Sequence, residues 1–116
     1  MKNANQFFGA SNGSENLYRY SFTKFIYTDG VKALVQECKA YWLIDLIISH
    51  QIQVEVNKEP FQVWHLKRVE NDSFTITATD GNDNKVARQQ IPFSDFPYDL
   101  ATFWMVGTCL MLPNEY

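Results

Sequence analysis

Apolar residues recur at intervals of three and four between residues 31 and 48, which places their side chains on one face of a helix. Thr28 and Asp29 stand just before this stretch, and their side-chain oxygens can accept hydrogen bonds from the first free amides of a helix. The pattern predicts a helix that begins directly after them, continues or breaks near Lys39–Ala40, and ends at about Gln51.

The second half of this predicted helix is apolar over most of its circumference. Asp45 and Ser49 form a narrow polar stripe on an otherwise apolar surface. A helix that buries one side only would carry a wider polar face. We therefore expect burial on more than one side, against a sheet and against either the N-terminal segment or another subunit.

After Glu59 the apolar period changes to two, which predicts β-strands. Asn- and Asp-rich turns separate the first three of these strands and indicate an antiparallel meander. Residues 18–27 alternate aromatic with polar positions and are predicted to form a strand or an ordered arm. The later strands are predicted at residues 61–70, 74–79, 85–91, 102–106 and 108–112.

These elements predict an α+β fold, in which one long or two consecutive helices pack on a mainly antiparallel sheet of four to five strands. The length of 116 residues is that of a single domain. Residues 1–14 are rich in Asn, Gly and Ser and predict a flexible N-terminal segment. Residues 15–116 are predicted to form the single α+β domain.

Charge, cysteines and hydropathy exclude several classes of protein. Ten Lys and Arg residues stand against 13 Asp and Glu residues, which gives a net charge of −3. Sequence-independent binding of nucleic acid needs a cationic face, and the basic residues here are scattered. Cys38 and Cys109 have no metal or redox spacing and predict buried free thiols in a cytoplasmic protein. The longest apolar stretch, residues 41–48, is too short to span a membrane.

Three residues are weak candidates for catalysis. Asp45 interrupts an apolar run, so that burial without a partner would raise its pKa and mark a functional site. The alternative is that Asp45 shares a hydrated edge with Ser49. His50 is expected to lie near the end of the helix and His65 within a strand, and either could pair with Asp45 in a small hydrolase. No spacing in the sequence supports such a pair.

Aromatic residues are the weak candidates for binding. Trp42 lies beside the polar stripe of the helix, and a loop with two prolines carries three further aromatics. Such side chains can grip a partner, although they more often close one end of a core. The loop aromatics are Phe93, Phe96 and Tyr98.

No metal site and no cofactor are expected. Asp80, Asn82 and Asn84 match the first positions of a calcium-binding loop, but the positions that need glycine and a carboxylate hold Lys85 and Ile91. This segment therefore predicts a turn.

Several short motifs follow one another along the chain: Tyr27–Lys32, Ala40–Asp45, Phe61–Trp64 with Leu66–Lys67, Ile91–Phe93, Asp95–Pro97 and Leu112–Tyr116. Together they resemble a family of small uncharacterised bacterial proteins that also occur in phage and other mobile elements. The resemblance spans nearly the whole chain and implies a domain of unknown function, without implying an activity or a set of site residues.

The sequence does not establish a function. The abundance of aromatic residues and the excess apolar surface of the helix favour a non-catalytic interaction protein of the cytoplasm, such as a mobile-element accessory protein, that binds a protein partner or forms a homodimer. One alternative is the small hydrolase with Asp45 and a histidine. The other is a weak nucleic-acid-binding module, which would require Lys67, Arg68 and Arg88 to share one face.

Overall fold

A seven-stranded mixed sheet forms one layer of the molecule in the computed structural model, which describes residues 2–8 and 16–116. The strand order across the sheet is β1-β2-β7-β6-β3-β4-β5. All neighbouring strands are antiparallel except β2 and β7, which run parallel. The strands are β1 Leu17–Arg19, β2 Ile26–Thr28, β3 Phe61–Glu70, β4 Ser73–Thr79, β5 Lys85–Ile91, β6 Leu100–Val106 and β7 Cys109–Met111.

Short helices form the second layer. The Thr28 hydroxyl oxygen accepts a hydrogen bond from Val31 N at 3.3 Å, which confirms the predicted cap. The helix that Thr28 caps ends before Lys39, which has a φ of 51° and redirects the chain into the next helix. The α-helices are α1 Ala4–Phe8, α2 Asp29–Glu37, α3 Tyr41–Ser49 and α4 Val54–Asn57, with 3-10 turns at His50–Ile52 and Pro113–Glu115.

The predicted architecture is wrong in the size and the kind of its sheet, and among residues 2–8 and 16–116 there is no single long helix. The sheet has seven strands and is mixed, because β1 and β2 join it at the edge beyond β7. The alternation at residues 18–27 predicts one strand or an ordered arm, whereas the structure has two three-residue strands joined by a turn in this segment. The pairing of β2 with β7 also depends on contacts between distant parts of the chain.

One face of the sheet is buried beneath the helices. Alternate residues of β3, β4 and β6 are buried and face the helix layer, while their neighbours are partly or fully exposed on the other face. We call this other face the outward face. Among the fully buried side chains are Leu34, Leu43, Ile47, Trp64, Leu66, Phe74, Ile76, Phe103, Met105 and Leu110.

Residues 2–5 close the free edge at the start of β6. The Asn5 side-chain amide donates to Thr102 O at 2.9 Å and accepts from Thr102 N at 2.6 Å, as a neighbouring strand would. Ala4 is completely buried beside this contact. Flexibility of residues 1–14 stays a prediction, and residues 1 and 9–14 lie outside the described part of the chain.

The C-terminal residues hold the start of α2. The Glu115 carboxylate accepts hydrogen bonds from the Thr28 hydroxyl at 2.6 Å and from Gly30 N at 3.0 Å. A negative charge at this end of a helix is favourable, because the helix dipole is positive there. A Cβ atom on Gly30 would lie 2.5 Å from a Glu115 oxygen, so the contact requires glycine. This contact, which we call the Glu115 lock, anchors the chain where β2 ends and α2 begins.

In the described part of the chain, no helix combines the length and the apolarity needed to cross a bilayer.

Candidate functional site

A groove of about 360 Å³ lies between the β1–β2 turn and the end of α3. One wall is the turn, and the other is the last turn of α3 with the 3-10 turn that follows it. The volume is within the range of protein sites that hold small molecules or single anchoring side chains. We call it the Tyr20–Asp45 groove, lined by Tyr20, Thr23, Lys24, Phe25, Asp45, Ile48, Ser49, Gln51, Ile52 and Asn57.

A hydrogen bond joins the two walls. The Tyr20 hydroxyl donates to Asp45 Oδ1 at 2.5 Å. This hydrogen bond raises the pKa of Tyr20, with smaller contributions from burial and from the Asp45 charge, so the hydroxyl keeps its proton at neutral pH. Asp45 itself is exposed, and the described residues donate no hydrogen bond to its second oxygen, Oδ2. The carboxylate can therefore bind a cationic group at the groove.

The β1–β2 turn is held by its own hydrogen bonds. Tyr20 N donates to Phe25 O at 2.9 Å, and the Thr23 hydroxyl donates to Tyr20 O at 2.6 Å. Ser21 has a φ of 51°, which turns the chain sharply and places Phe22 at the tip. These contacts fix a rigid turn that projects a large aromatic side chain.

A buried pair of glutamine side chains supports the opposite wall. Gln51 Nε2 donates to Gln62 Oε1 at 2.8 Å, and Gln62 Nε2 donates to Gln51 Oε1 at 2.9 Å. Gln62 Oε1 also accepts from the Trp64 indole at 2.9 Å, and Gln62 Nε2 also donates to Val56 O at 2.9 Å. Because Gln51 lines the groove, this network ties the groove wall to the centre of the sheet.

Large apolar side chains stand exposed around the groove. Phe22 is fully exposed, and Ile52 is 86% exposed although it contributes to the lining. Val54, two residues further on, is 74% exposed. Isolated exposed apolar residues are normal on protein surfaces, but a set beside an apolar groove is typical of a site that binds another molecule.

The structure brings neither histidine to Asp45. His50 Nε2 is hydrogen-bonded to Gln89 Oε1 at 2.8 Å, and its ring lies 5.4 Å from that of Trp64. His65 lies on the outward face, where its Nδ1 is 3.2 Å from the Thr102 hydroxyl. Burial lowers the pKa of His65. Of the three catalytic candidates, only Asp45 lies in the groove.

The aromatic candidates are dispersed. Trp42 is half-buried and packs on the core. Phe96 is buried between Phe74 and Tyr98, with ring centroids 6.0 and 6.1 Å away. Phe93 is exposed, but it lies beside the β3–β4 turn and far in the fold from the groove. The Pro-containing loop therefore closes the core with Phe96.

The three basic residues of the nucleic-acid hypothesis do not share a face. Lys67 and Arg88 pair in register with Thr75 and Thr77, which places them on the outward face. Arg68 lies on the helix face over the Phe74 ring, at 4.6 Å. It is already bound, since its Nε donates to Asp99 Oδ1 at 2.8 Å.

We expect Asp99 to make the stability of the protein depend on pH in mild acid. Hydrogen bonds from Lys2 N and from Arg68 lower the pKa of Asp99 in the folded state below its ordinary value. The stability from this shift is complete above the unfolded-state pKa of about 4 and is lost as pH falls towards the folded pKa. Urea unfolding from pH 7 downward should show a shallower acid decline for Asp99→Asn. Asp95→Asn alters an exposed loop carboxylate and should keep the acid decline of the parent chain. If Asp95→Asn made the decline as shallow as Asp99→Asn does, this role of Asp99 would be contradicted.

The thiols are not reactive nucleophiles. Burial, with a smaller contribution from the charge of Glu37, raises the pKa of Cys38 to about 11. Burial also raises the pKa of Cys109. Both thiols are therefore protonated at neutral pH. Among the described residues, no three His, Cys, Asp or Glu side chains are grouped closely enough to hold a metal ion.

Sequence reasoning found Asp45 but missed the other residues of the groove. The polar interruption of an apolar run singled out Asp45. Tyr20, Phe22 and Ile52 carry no comparable signal, because the β1–β2 turn and the end of α3 are separate segments that meet only in the fold. The alternation of residues 18–27 indicated a strand or an ordered arm, and it did not indicate the turn that carries Phe22 at its tip.

Comparison with models of protein families matches residues 2–116 to a family of unknown function, DUF6876. No curated protein and no solved structure matches the chain. The family match extends from the residues that pair with β6 to the C-terminal residues that hold α2.

Proposed function

This chain belongs to DUF6876, a family of unknown function, and we propose that it is a non-catalytic protein-interaction module that binds its partner in the Tyr20–Asp45 groove. The observation that carries the proposal is the apolar groove flanked by the exposed side chains of Phe22 and Ile52. The proposed place of action is the cytoplasm, which the two free cysteines support.

The surroundings of the groove favour a polypeptide over a small molecule. A small molecule would fill the 360 Å³ and leave Phe22 and Val54 in water. A protein partner can cover these residues as well, and buried aromatic and aliphatic anchors supply much of the affinity of protein interfaces. A polypeptide partner therefore explains the exposed apolar side chains outside the groove as well as the groove itself.

The chemistry of the lining defines the segment that fits. Ile48, Ile52 and Phe25 offer apolar contacts to one inserted side chain of the size of Leu or Phe. Asp45 offers a carboxylate at the rim that can bind a Lys or Arg close to that anchor. The preferred segment therefore combines an apolar anchor with a cation one or two residues away.

The positions of the ionisable groups support a binding role over hydrolysis. Asp45 is hydrogen-bonded to a tyrosine that keeps its proton, and both histidines are hydrogen-bonded elsewhere. A hydrolase built from Asp45 and a histidine needs the two within hydrogen-bond reach in one pocket. A binding groove needs only the shape and the charge described above.

A capped Phe-Thr-Lys tripeptide should bind in the groove with a Kd on the order of 1 mM, as expected for one anchoring side chain. Isotope-edited NMR should show shifts concentrated on the amides of the groove residues. Ile52→Ser should weaken binding about fivefold, because it removes an apolar contact of the anchor. Asp45→Asn should abolish the preference for this peptide over Phe-Thr-Glu.

The matched control is Val69→Ser, which removes an exposed aliphatic side chain near the end of β3 opposite to Gln62 and outside the groove lining. It should leave peptide binding unchanged. Equal shifts with a Ser-Thr-Lys peptide, or shifts that map to the outward face, would show that the groove does not recognise an apolar anchor.

A further inference from the structure

We infer that the partner in the groove is a second copy of this chain, whose own β1–β2 turn supplies the anchor and the cation. This inference rests on the proposed function and names the occupant of the same site. The turn reads Phe22–Thr23–Lys24, an exposed aromatic residue followed two positions later by a cation. An apolar anchor with a cation one or two residues away is the kind of segment that the lining of the groove favours.

The anchor and the groove lie on one surface patch. Phe22 is in the same rigid turn as Tyr20 and Thr23, which line the groove, yet it is fully exposed and does not fill its own groove. A twofold dimer brings the same patch of two subunits together, so a projection beside a cavity is self-complementary. Insertion of Phe22 from each copy into the groove of the other would bury both anchors at once.

The charges of the patch are complementary under the same symmetry. Lys24 is on the turn and Asp45 is on the facing wall. In the proposed twofold dimer, the turn of each copy lies against the α3 wall of the other. The Lys24 ammonium lies 5.8 Å from its own Phe25 ring, and no described carboxylate forms an ion pair with it. In the dimer, Lys24 of each copy meets the partner's Asp45, which forms two equivalent ion pairs.

A charge-reversal experiment tests this arrangement directly. Lys24→Glu alone and Asp45→Lys alone each create two like-charge contacts across the interface. Each variant should therefore dimerise about tenfold more weakly than the parent chain in sedimentation velocity. An equimolar mixture of the two variants restores both opposite-charge contacts and should form a heterodimer as strongly as the parent chain forms its homodimer. The heterodimer can be identified by native mass spectrometry.

A second variant isolates the anchor. Phe22→Ser should weaken dimerisation by about tenfold or more, because it withdraws a large apolar side chain from each groove. Phe93→Ser removes another exposed phenylalanine, from a different loop, and should have no effect. Circular dichroism melting of every variant establishes that the fold is retained, and Tyr20→Phe controls for the lost hydrogen bond in Asp45→Lys.

The outcomes separate this inference from the proposed function. A chain that binds Phe-Thr-Lys but sediments as a monomer at high micromolar concentration overturns the dimer and leaves the groove as a site for another protein. A dimer that neither Phe22→Ser nor charge reversal weakens also overturns the inference, since it would use another surface. Heterodimer formation from two weakened variants supports it, because a merely misfolded variant would not be rescued by mixing.

Discussion

Arg68→Met should lower the free energy of unfolding by about 3 kcal/mol, because one side chain is the shared donor for partly buried carbonyl groups and for a carboxylate. The guanidinium donates to Asp99 Oδ1 at 2.8 Å, to Phe96 O at 2.9 Å and to Asn71 O. It also lies over the Phe74 ring. The substitution keeps the apolar stem of the side chain, so the loss reports mainly on the hydrogen bonds.

Urea unfolding at neutral pH measures this loss. The matched control is Lys67→Met, the adjacent residue on the outward face, which should change the free energy of unfolding by less than about 0.5 kcal/mol. The side chain of Arg68 joins the β3–β4 turn to the loop before β6, so its removal should also increase hydrogen exchange in residues 92–99. Equal effects of the two substitutions would mean that Arg68 is not the support of this loop.

Gln62→Leu should destabilise the protein by a similar amount, about 3 kcal/mol. The substitution leaves the Trp64 indole and the Gln51 amide without their partner in the core. It also removes the Gln62 donor from Val56 O and from Glu59 O, in the segment before β3. A leucine fits the volume but satisfies none of these groups, and buried polar groups without partners are costly.

Gln90→Leu is the control for this substitution, because Gln90 is exposed on the edge strand and pairs with Thr75. It should leave the urea midpoint nearly unchanged. Gln62→Leu should in addition weaken binding of the Phe-Thr-Lys peptide, since Gln51 loses its support beside the groove. A Gln62→Leu protein with unchanged stability would show that the glutamine pair is replaceable by apolar packing.

The sequence predicted most of the individual elements because their signals are local. Thr28 was identified as a helix cap from its side chain and from the apolar period that follows it, and its hydroxyl accepts the predicted bond. The break at Lys39–Ala40 was one of two readings of that helix, and the positive φ of Lys39 produces it. The strands after Glu59 were identified by a period of two, which needs no knowledge of their neighbours.

The sheet and the candidate site could not be predicted in the same way. The parallel pairing of β2 with β7 joins segments from opposite ends of the chain, and β2 is too short to carry a pattern. Asp45 was noticed because it interrupts an apolar run, but its tyrosine partner lies 25 residues earlier. The role of Phe22 depends on its exposure beside the groove, which only the fold produces.

By itself the sequence determined the helices α2 and α3, the strands after Glu59, the apolar faces of these elements, and that Cys38 and Cys109 lack a metal or redox spacing. The tertiary structure alone decided the order of the strands, the lock of Glu115 on Thr28 across 87 residues, and the meeting of the β1–β2 turn with α3. The physical reason is that periodicity arises from the backbone geometry of near neighbours. Pairing and groove formation arise from the burial of surfaces that are distant in the chain, and no local pattern records which surfaces will meet.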